Sequence, residues 1–524
     1  VGLLLSVCLP SQAPGLRLLS PLGLNETYIV DGQGNVVHTW PGFKTATFYL
    51  LPDGSLLRGI ANGTGIPGTT GLLQRMSFDG TVTWEMQVSD TQRSMHHDIH
   101  YMPNGNVLVF AVDLLTPADA IAAGRDPATI IGAWMPDSIL EIQPTGPTTG
   151  VVVWEWHVMD HLVQDRDPSL PNYGVVSDHP ELLDINFPGN VLNGDAFNHA
   201  NGIDYDPVND WIVVSFRHQS EIYLIDHSTT TAEAAGHTGG ARGKGGDFLW
   251  RWGNPQAYKG GGPADQWLRV QHDPRWIPAG YPGAGHMTVF NNVHGPNLSA
   301  VYELEMPLDA NGNPFVDPKT GRYGPERPLW IFEEPGFFSA FVSSAERLAN
   351  GNTLVCSGQQ SRLFEVTPDG QTVWSYDPPG APFLFQAHAV ERRLWADATG
   401  LSASAGGQIG YEHVFDTSFA GQFYLLLGSL TGTTPGTPLP GGVLLPLNND
   451  LLTGAMLTLF NTPLFVDTFG VIDATGRASS AIVVGPGEIP AAMVGLEISC
   501  AHVVYDSNGN ATLASNPTRT VITP

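Results

Sequence analysis

The sequence is poor in lysine, in cysteine, in charged residues generally and in long apolar runs, and each shortage excludes something. Only four of its 23 basic residues are lysines, and its formal charge is −27, which argues against a phosphate-binding surface and so against nucleic acid as a partner. Three distant cysteines, Cys8, Cys356 and Cys500, make neither a disulfide framework nor a C-x-x-C metal spacing; at most one bridge can form. Charged residues are 14% of the chain, no stretch sustains helical periodicity, and no segment past the N-terminus is apolar enough to be a transmembrane span. What is abundant is glycine (61) and proline (42), the composition of turns joining short strands. A length of 524 residues exceeds what one core organises, so a repeat-built domain or several domains are expected.

Residues 1–12 (VGLLLSVCLPSQ) resemble the end of a signal-peptide core running into a small-residue site at Ala13, although Pro14 disfavours cleavage there. Residues 1–13 are therefore read as a signal-peptide remnant, with a secreted, periplasmic or cell-surface location expected. The alternatives are an ordered N-terminal strand holding Leu3, Leu4 and Leu5, and a lipobox at Cys8, which the bulky Val7 disfavours.

One unit recurs: an alternating apolar strand, a glycine turn, further strands, and a last strand ending in tryptophan. Turn pairs fall at Gly34-Asn35, Asp53-Gly54, Asp79-Gly80, Asn104-Gly105, Asn350-Gly351 and Asp369-Gly370, which suit the positive φ of tight hairpins. Unit-ending tryptophans are Trp40, Trp84, Trp154 with Trp156, Trp250 with Trp252, Trp330 and Trp374. Insertions at 114–136, 157–198, 228–247 and 308–326 make the spacing uneven. The plain reading of every tryptophan is packing between units. Six such units predict an all-β chain, a six-bladed β-propeller over 14–397. Its ring closes by pairing the orphan strand QAHAVERRL (386–394) with the incomplete first unit. After about residue 400 the Trp-ended repeat stops and Ser, Thr, Gly and Pro dominate, which predicts a smaller C-terminal β-sandwich over 398–524.

Histidines gather where units open: MHHDIH (95–100), FNHANG (197–202), SFRHQS (215–220) and VQHDPRW (270–276). Propeller geometry brings these stretches to one mouth of the axis. Metal ligation is disfavoured there, because H-E-x-x-H and H-x-H pairings are absent and strand alternation separates His97 from His96 and His100. No metal or cofactor is expected. The other chemistry for such a cluster is nucleophilic: a neutral imidazole attacks, while further histidines and an arginine fork hold the oxygens of the transferred group. The glycine run 239–246 lacks the hydroxyl and spacing of a P-loop and reads as a flexible insertion.

Taken in order, YIVDGQGNVVHTW, HHDIHYMPNGNVLVF, NHANGIDYDPVNDWIVVSFRHQSEIYLID, QHDPRW and AERLANGNTLVCSGQQSRLFEVTPDGQTVW resemble the bacterial arylsulfotransferases that work without an adenylyl-sulfate donor, over residues 16–394. That resemblance implies transfer of a sulfuryl group from an aryl sulfate to a phenolic acceptor through a transient sulfohistidine. It implies His272 as nucleophile and His97, His199 and Arg217 as sulfate-binding and proton-handling residues, with His96, His388 and Arg392 as further substrate-binding candidates. Where better-known members carry an N-terminal β domain, this chain has a C-terminal one, so family-type dimerisation does not carry over. Alternative readings are an extracellular structural or ligand-binding propeller with a vestigial site, assembling as a homo-oligomer or surface layer, and a metal-dependent hydrolase.

Overall fold

The structure is a computed structural model whose described residues are 15–42, 45–61, 70–130, 132–189 and 197–524; the proposed signal-peptide remnant 1–13, with Cys8, lies outside them. Turn chemistry sets the strands. At each Asp-Gly or Asn-Gly pair only the glycine has positive φ, +88° at Gly54 and Gly80 and +90° at Gly105 and Gly351. Around Gly54, Gly54 N–H bonds Leu51 O and Leu51 N–H bonds Ser55 O, both at 2.8 Å, while Asp53 Oδ1 accepts the Ser55 N–H. Each loop is thus a β-turn closed by one left-handed glycine, not a two-residue turn with two positive φ angles.

Up to residue 390 the described residues form six four-stranded antiparallel sheets and one short parallel pair, Leu162–Val163 with Leu183–Asp184. Sheet 1 holds Thr45–Leu50, Leu56–Ile60, Leu72–Met76 and Val82–Gln87. Sheet 2 holds Arg93–Tyr101, Val107–Asp113, Asp137–Gly146 and Thr149–His157. Sheet 3 holds Ala200–Asp206, Trp211–Phe216, Glu221–Asp226 and Trp250–Trp252. Sheet 4 holds His272–Trp276, Met287–Gly295, Leu298–Leu304 and Trp330–Phe332. Sheet 5 holds Ser344–Arg347, Thr353–Ser357, Arg362–Val366 and Thr372–Tyr376. Sheet 6 is made from both ends of this region: Phe383–Val390 pairs Leu16–Leu22, followed by Glu26–Val30 and Val36–Pro41.

An apolar layer lies between each sheet and the next. Leu57, Leu73 and Trp84 of sheet 1 meet Ile99, Val109 and Leu140 of sheet 2, and Leu16, Ile29 and Trp40 of sheet 6 meet Phe48, Leu56 and Met76 of sheet 1. The unit-ending tryptophans lie in these layers, and each also reaches forward with its indole N–H. Trp84 donates to Thr149 O, Trp154 to Thr229 Oγ1, Trp250 to Gly324 O, Trp330 to Pro368 O, Trp374 to Gly32 O and Trp40 to Ser77 O. A second, polar circuit joins the innermost strands. Thr47 bonds Asp98, whose other oxygen accepts Ile203 N–H; Asn201 bonds Gln271 O; Asp273 accepts Ala345 N–H; Ser344 accepts Ala387 N–H; Gln386 returns to Thr47. Buried side chains there satisfy backbone groups of the neighbouring sheet that no ladder could reach.

Besides the short pair Thr437–Pro438 with Leu444–Leu445, the C-terminal part has two larger sheets among the described residues. One pairs Leu394–Ala396, Gly407–Val414, Arg477–Val484 and Phe465–Val466; the other runs Gly400–Ser402, Thr518–Thr523, Glu497–Tyr505, Phe423–Ser429 and Phe469–Val471, with Ala511–Ala514 beside Glu497–Tyr505. They share a buried cluster that includes Ile409, Tyr411 and Ile482 from one and Leu427, Ile498 and Val503 from the other. Trp395 Nε1 bonds Gly54 O at 3.0 Å and Asp416 accepts Gly32 N–H at 2.8 Å, tying this part to sheets 1 and 6. Cys356 and Cys500 are buried thiols outside any disulfide. Among the described residues no helix is long and apolar enough to cross a membrane.

Candidate functional site

The inner strands of sheets 2, 3 and 4 all lose register near their first residues, between Met95 and Ile99, Ala200 and Ile203, and His272 and Arg275. Left-handed residues mark the same places: His97 at φ +50°, His199 at +55°, Val270 at +50° and Asp273 at +55°. Such a conformation in a non-glycine residue costs about 1–2 kcal/mol. The bulges re-aim side chains toward a common point, so the separation of His96 from His97 expected from strict alternation does not hold. Instead the Nδ1 atoms of His96 and His97 lie 2.8 Å apart.

Four of the named residues converge. The His97 and His199 rings are 4.6 Å apart in an edge-on arrangement, and His199 lies 4.9 Å from His218. Arg217 donates its backbone N–H to His199 O, and its side chain interacts electrostatically with His97, His199 and His272. Phe385 of sheet 6 joins the group, with its ring 5.8 Å from His97 and 6.4 Å from His272.

His272 is 3% exposed, and its tautomer follows from its neighbour. Asn292 Nδ2 donates to Ser339 O and Val342 O, which leaves Oδ1 to face His272 Nδ1 at 2.7 Å. Nδ1 therefore carries the proton and Nε2 the lone pair. Burial, then the nearby Arg217 charge, pushes the His272 pKa down to about 3. Burial and mutual repulsion likewise hold His97 and His199 well below the ordinary histidine range. Burial lowers Arg217 to about 10, so it remains a cation at neutral pH. Its Nη1 is buried with no hydrogen-bond partner among the described residues, and both side-chain polar atoms of Asn198 share that condition. A 5%-exposed guanidinium with a spare donor, ringed by neutral imidazoles, is arranged to receive an anion.

His96 backs this group through Asp137, whose Oδ1 is 2.9 Å from His96 Nε2. His388 and Arg392 are not brought to it. His388 stands three residues past Phe385, about 10 Å further along the strand, where it packs on Tyr49 and pairs with Glu346. Arg392 follows the end of that strand and donates to the Leu394 and Pro52 carbonyls. Sequence reading missed Asn292, Asn198, His218 and Phe385 as members. His218 sits within the quoted SFRHQS motif, whereas nothing in NN at 291–292 distinguishes the residue that pairs with His272 Nδ1.

The insertion 157–198 reaches this region: a Cβ on Gly189 would meet His218 O at 2.8 Å. Among the described residues the group with metal-ligand spacing is elsewhere, at His161, His237 and Asp247.

Similar solved structures include a protein of unknown function from Bacteroides caccae, 14% identical over 72% of this chain and 100% of that one, with a TM-score of 0.39. A periplasmic gluconolactonase from Pseudomonas aeruginosa is 13% identical over 72% and 99%, with a TM-score of 0.33. Hydrazine synthase from Kuenenia stuttgartiensis is 13% identical over 57% and 70%, with a TM-score of 0.31. These values are too low to bear on fold or function. A comparison with curated proteins found no match. A family model, by contrast, matches residues 13–378, a span that contains every residue of the histidine and arginine cluster except Phe385, and by that match the chain belongs to the arylsulfotransferase (ASST) family.

Proposed function

We propose that the protein transfers a sulfuryl group from an aryl sulfate to a phenol in two steps through a sulfohistidine on His272, without an adenylyl-sulfate donor. The observation that carries this reading is the buried Nη1 of Arg217, without a hydrogen-bond partner among the described residues, beside a neutral His272 whose Nδ1 is already committed to Asn292. In the first step Nε2 of His272 attacks sulfur, the sulfur–oxygen bond to the aryl group breaks, and the electron pair leaves with the phenolate oxygen. Arg217, His97 and His199 bind the sulfuryl oxygens. The anion's charge offsets the burial and the repulsion that together empty His97 and His199 of protons, so one of them, protonated, gives its proton to the phenolate. In the second step the acceptor oxygen attacks sulfur, the nitrogen–sulfur bond breaks, and the now neutral histidine takes the acceptor's proton. Catalysis in this scheme is positioning and fixed charge, as in phosphoryl transfer.

We further propose that the six sheets are the blades of a β-propeller, expected over 14–397, with the cluster at its axial mouth, that the β-sandwich expected over 398–524 starts with the strand Leu394–Ala396 and contributes structure only, and that the protein works outside the cytoplasm. Incubation with an aryl sulfate and an acceptor phenol is expected to yield the acceptor's sulfate and, on rapid quenching, a sulfuryl adduct on the His272 peptide. Absence of both would overturn the reading. Full activity in His272→Asn would reject the nucleophile.

A further inference from the structure

The insertions at 157–198 and 228–247 meet at a second polar cluster built from none of the residues above. His161 follows a single 3-10 turn, Val158–Asp160, and is fully buried. Its ring stacks on Trp156, 5.1 Å away and nearly parallel. Trp156 in turn donates to Gly246 O at 2.7 Å, so outer strand and loop hold the imidazole between them. On one edge His161 Nε2 lies 2.8 Å from the carbonyl of Ala234, the last residue of the short helix Thr231–Ala234. On the other edge Nδ1 lies 2.8 Å from Asp247 Oδ1. His237 Nδ1 lies 2.8 Å from the same oxygen. All three ligand atoms fall within 4.8 Å of one another.

The glycine run that reads as a flexible insertion is what permits this. Gly245 N–H bonds Gly239 O and Gly246 N–H bonds Gly236 O, both at 3.0 Å, folding the loop back on itself. A Cβ on Gly246 would lie 2.0 Å from Ala234 O and 2.7 Å from His161 Nε2, so only glycine lets the loop close over the ring.

Proton bookkeeping shows what the cluster requires. A carbonyl only accepts, so His161 Nε2 carries a hydrogen toward Ala234. In the neutral ring Nδ1 is then a lone pair facing a carboxylate oxygen, a repulsive arrangement unless a cation stands between them. That cation is either a second proton or a metal ion. Two features favour the metal. A backbone carbonyl holding the far N–H is the arrangement that orients metal-bound imidazoles. His237, 60% exposed, nevertheless converges on the oxygen already engaged by His161.

We infer that His161 Nδ1, His237 Nδ1 and Asp247 Oδ1 form a binding site for a divalent ion of the zinc class, with solvent beside His237 supplying the fourth ligand. Two imidazoles and one carboxylate suit zinc and not calcium or magnesium, which take oxygen ligands. Bonds of about 2.0–2.1 Å at tetrahedral angles place ligand atoms about 3.3 Å apart, which the 2.8 Å pairs reach by small side-chain rotations. The ion ties together two insertions, the first of which runs on into Phe197, Asn198 and His199.

The test uses the full chain stripped with a chelator and titrated with zinc chloride by calorimetry, and with cobalt for its tetrahedral absorption bands. One site per chain is expected, with zinc raising the melting temperature. His237→Ala, an exposed change that leaves the fold intact, and Asp247→Asn should each weaken uptake at least tenfold and remove the thermal shift, whereas His272→Asn should bind zinc as the parent does. A parent chain that takes up no zinc, or variants that bind as tightly as the parent, would overturn the inference and leave a shared proton as the cation.

Discussion

At the scale of single residues the site rests on one orienting contact and one spare charge. Asn292→Ala removes the acceptor that keeps the His272 proton on Nδ1. It should lower kcat by up to about a hundredfold with little change in KM, the signature of a misplaced nucleophile. Arg217→Ala should cost about 2.7–4 kcal/mol of transition-state stabilisation, a hundred- to thousandfold in kcat, with Arg217→Lys recovering part because it keeps the charge but loses the planar fork. Because burial holds the His272 pKa near 3, the rate of adduct formation in a single turnover should stay level from pH 7 to pH 5. The neutral form of an ordinary histidine falls about twenty-fivefold over that range. A steep fall toward pH 5 in rapid-quench measurements would contradict the assigned environment. The individual histidines were legible in the sequence as motifs. Their pairing was not, since His96 touches His97 only because a bulge breaks the alternation that the residue pattern implies.

Among elements, the hairpin glycines carry testable strain. Gly54 has φ +88°, and a Cβ there would lie 2.4 Å from the Trp395 ring. Gly54→Ala therefore combines a left-handed backbone penalty with a clash against the C-terminal part, and should destabilise by about 1–3 kcal/mol, read as a lowered melting temperature. The same change at Gly370, where a Cβ meets nothing within 4 Å, should cost only the backbone part. Strands, turns and the unit-ending tryptophans as packing residues were legible because each is a local pattern of alternation, glycine and a recurring aromatic position, whereas the forward hydrogen bonds of those tryptophans were not. The closing sheet was legible too, as an orphan strand at 386–394 and an incomplete first unit; the observed strand is Phe383–Val390. The glycine run 239–246 misled, because flexibility and close packing call for the same residue.

For the whole molecule, histidine burial sets the pH range of stability. His38, His97, His199, His272, His413 and His502 have folded pKa values depressed by burial. Below the unfolded value of about 6.5 the unfolded chain binds protons these residues cannot, so stability falls as pH drops from about 6.5 toward 3. His157 and His227 are raised, His227 to about 9 by Asp210 and Glu141 acting against burial. Their contribution is full below about pH 6.5 and is lost as pH rises through the folded values. Melting temperature should therefore peak near pH 6.5 and fall more steeply toward pH 5 than toward pH 9, and His227→Gln should flatten the alkaline limb. A melting temperature that rises from pH 6.5 to pH 5 would refute this. The sequence by itself determined the all-β character, the Trp-ended repeat and the motifs shared with the arylsulfotransferases, because these follow from local periodicity and residue order. Only the tertiary structure decided which histidines meet, which nitrogen of His272 is bare, and that His161, His237 and Asp247 come together. Those depend on bulges, packing and burial, which bring residues far apart in the chain within hydrogen-bonding reach and strip them of water.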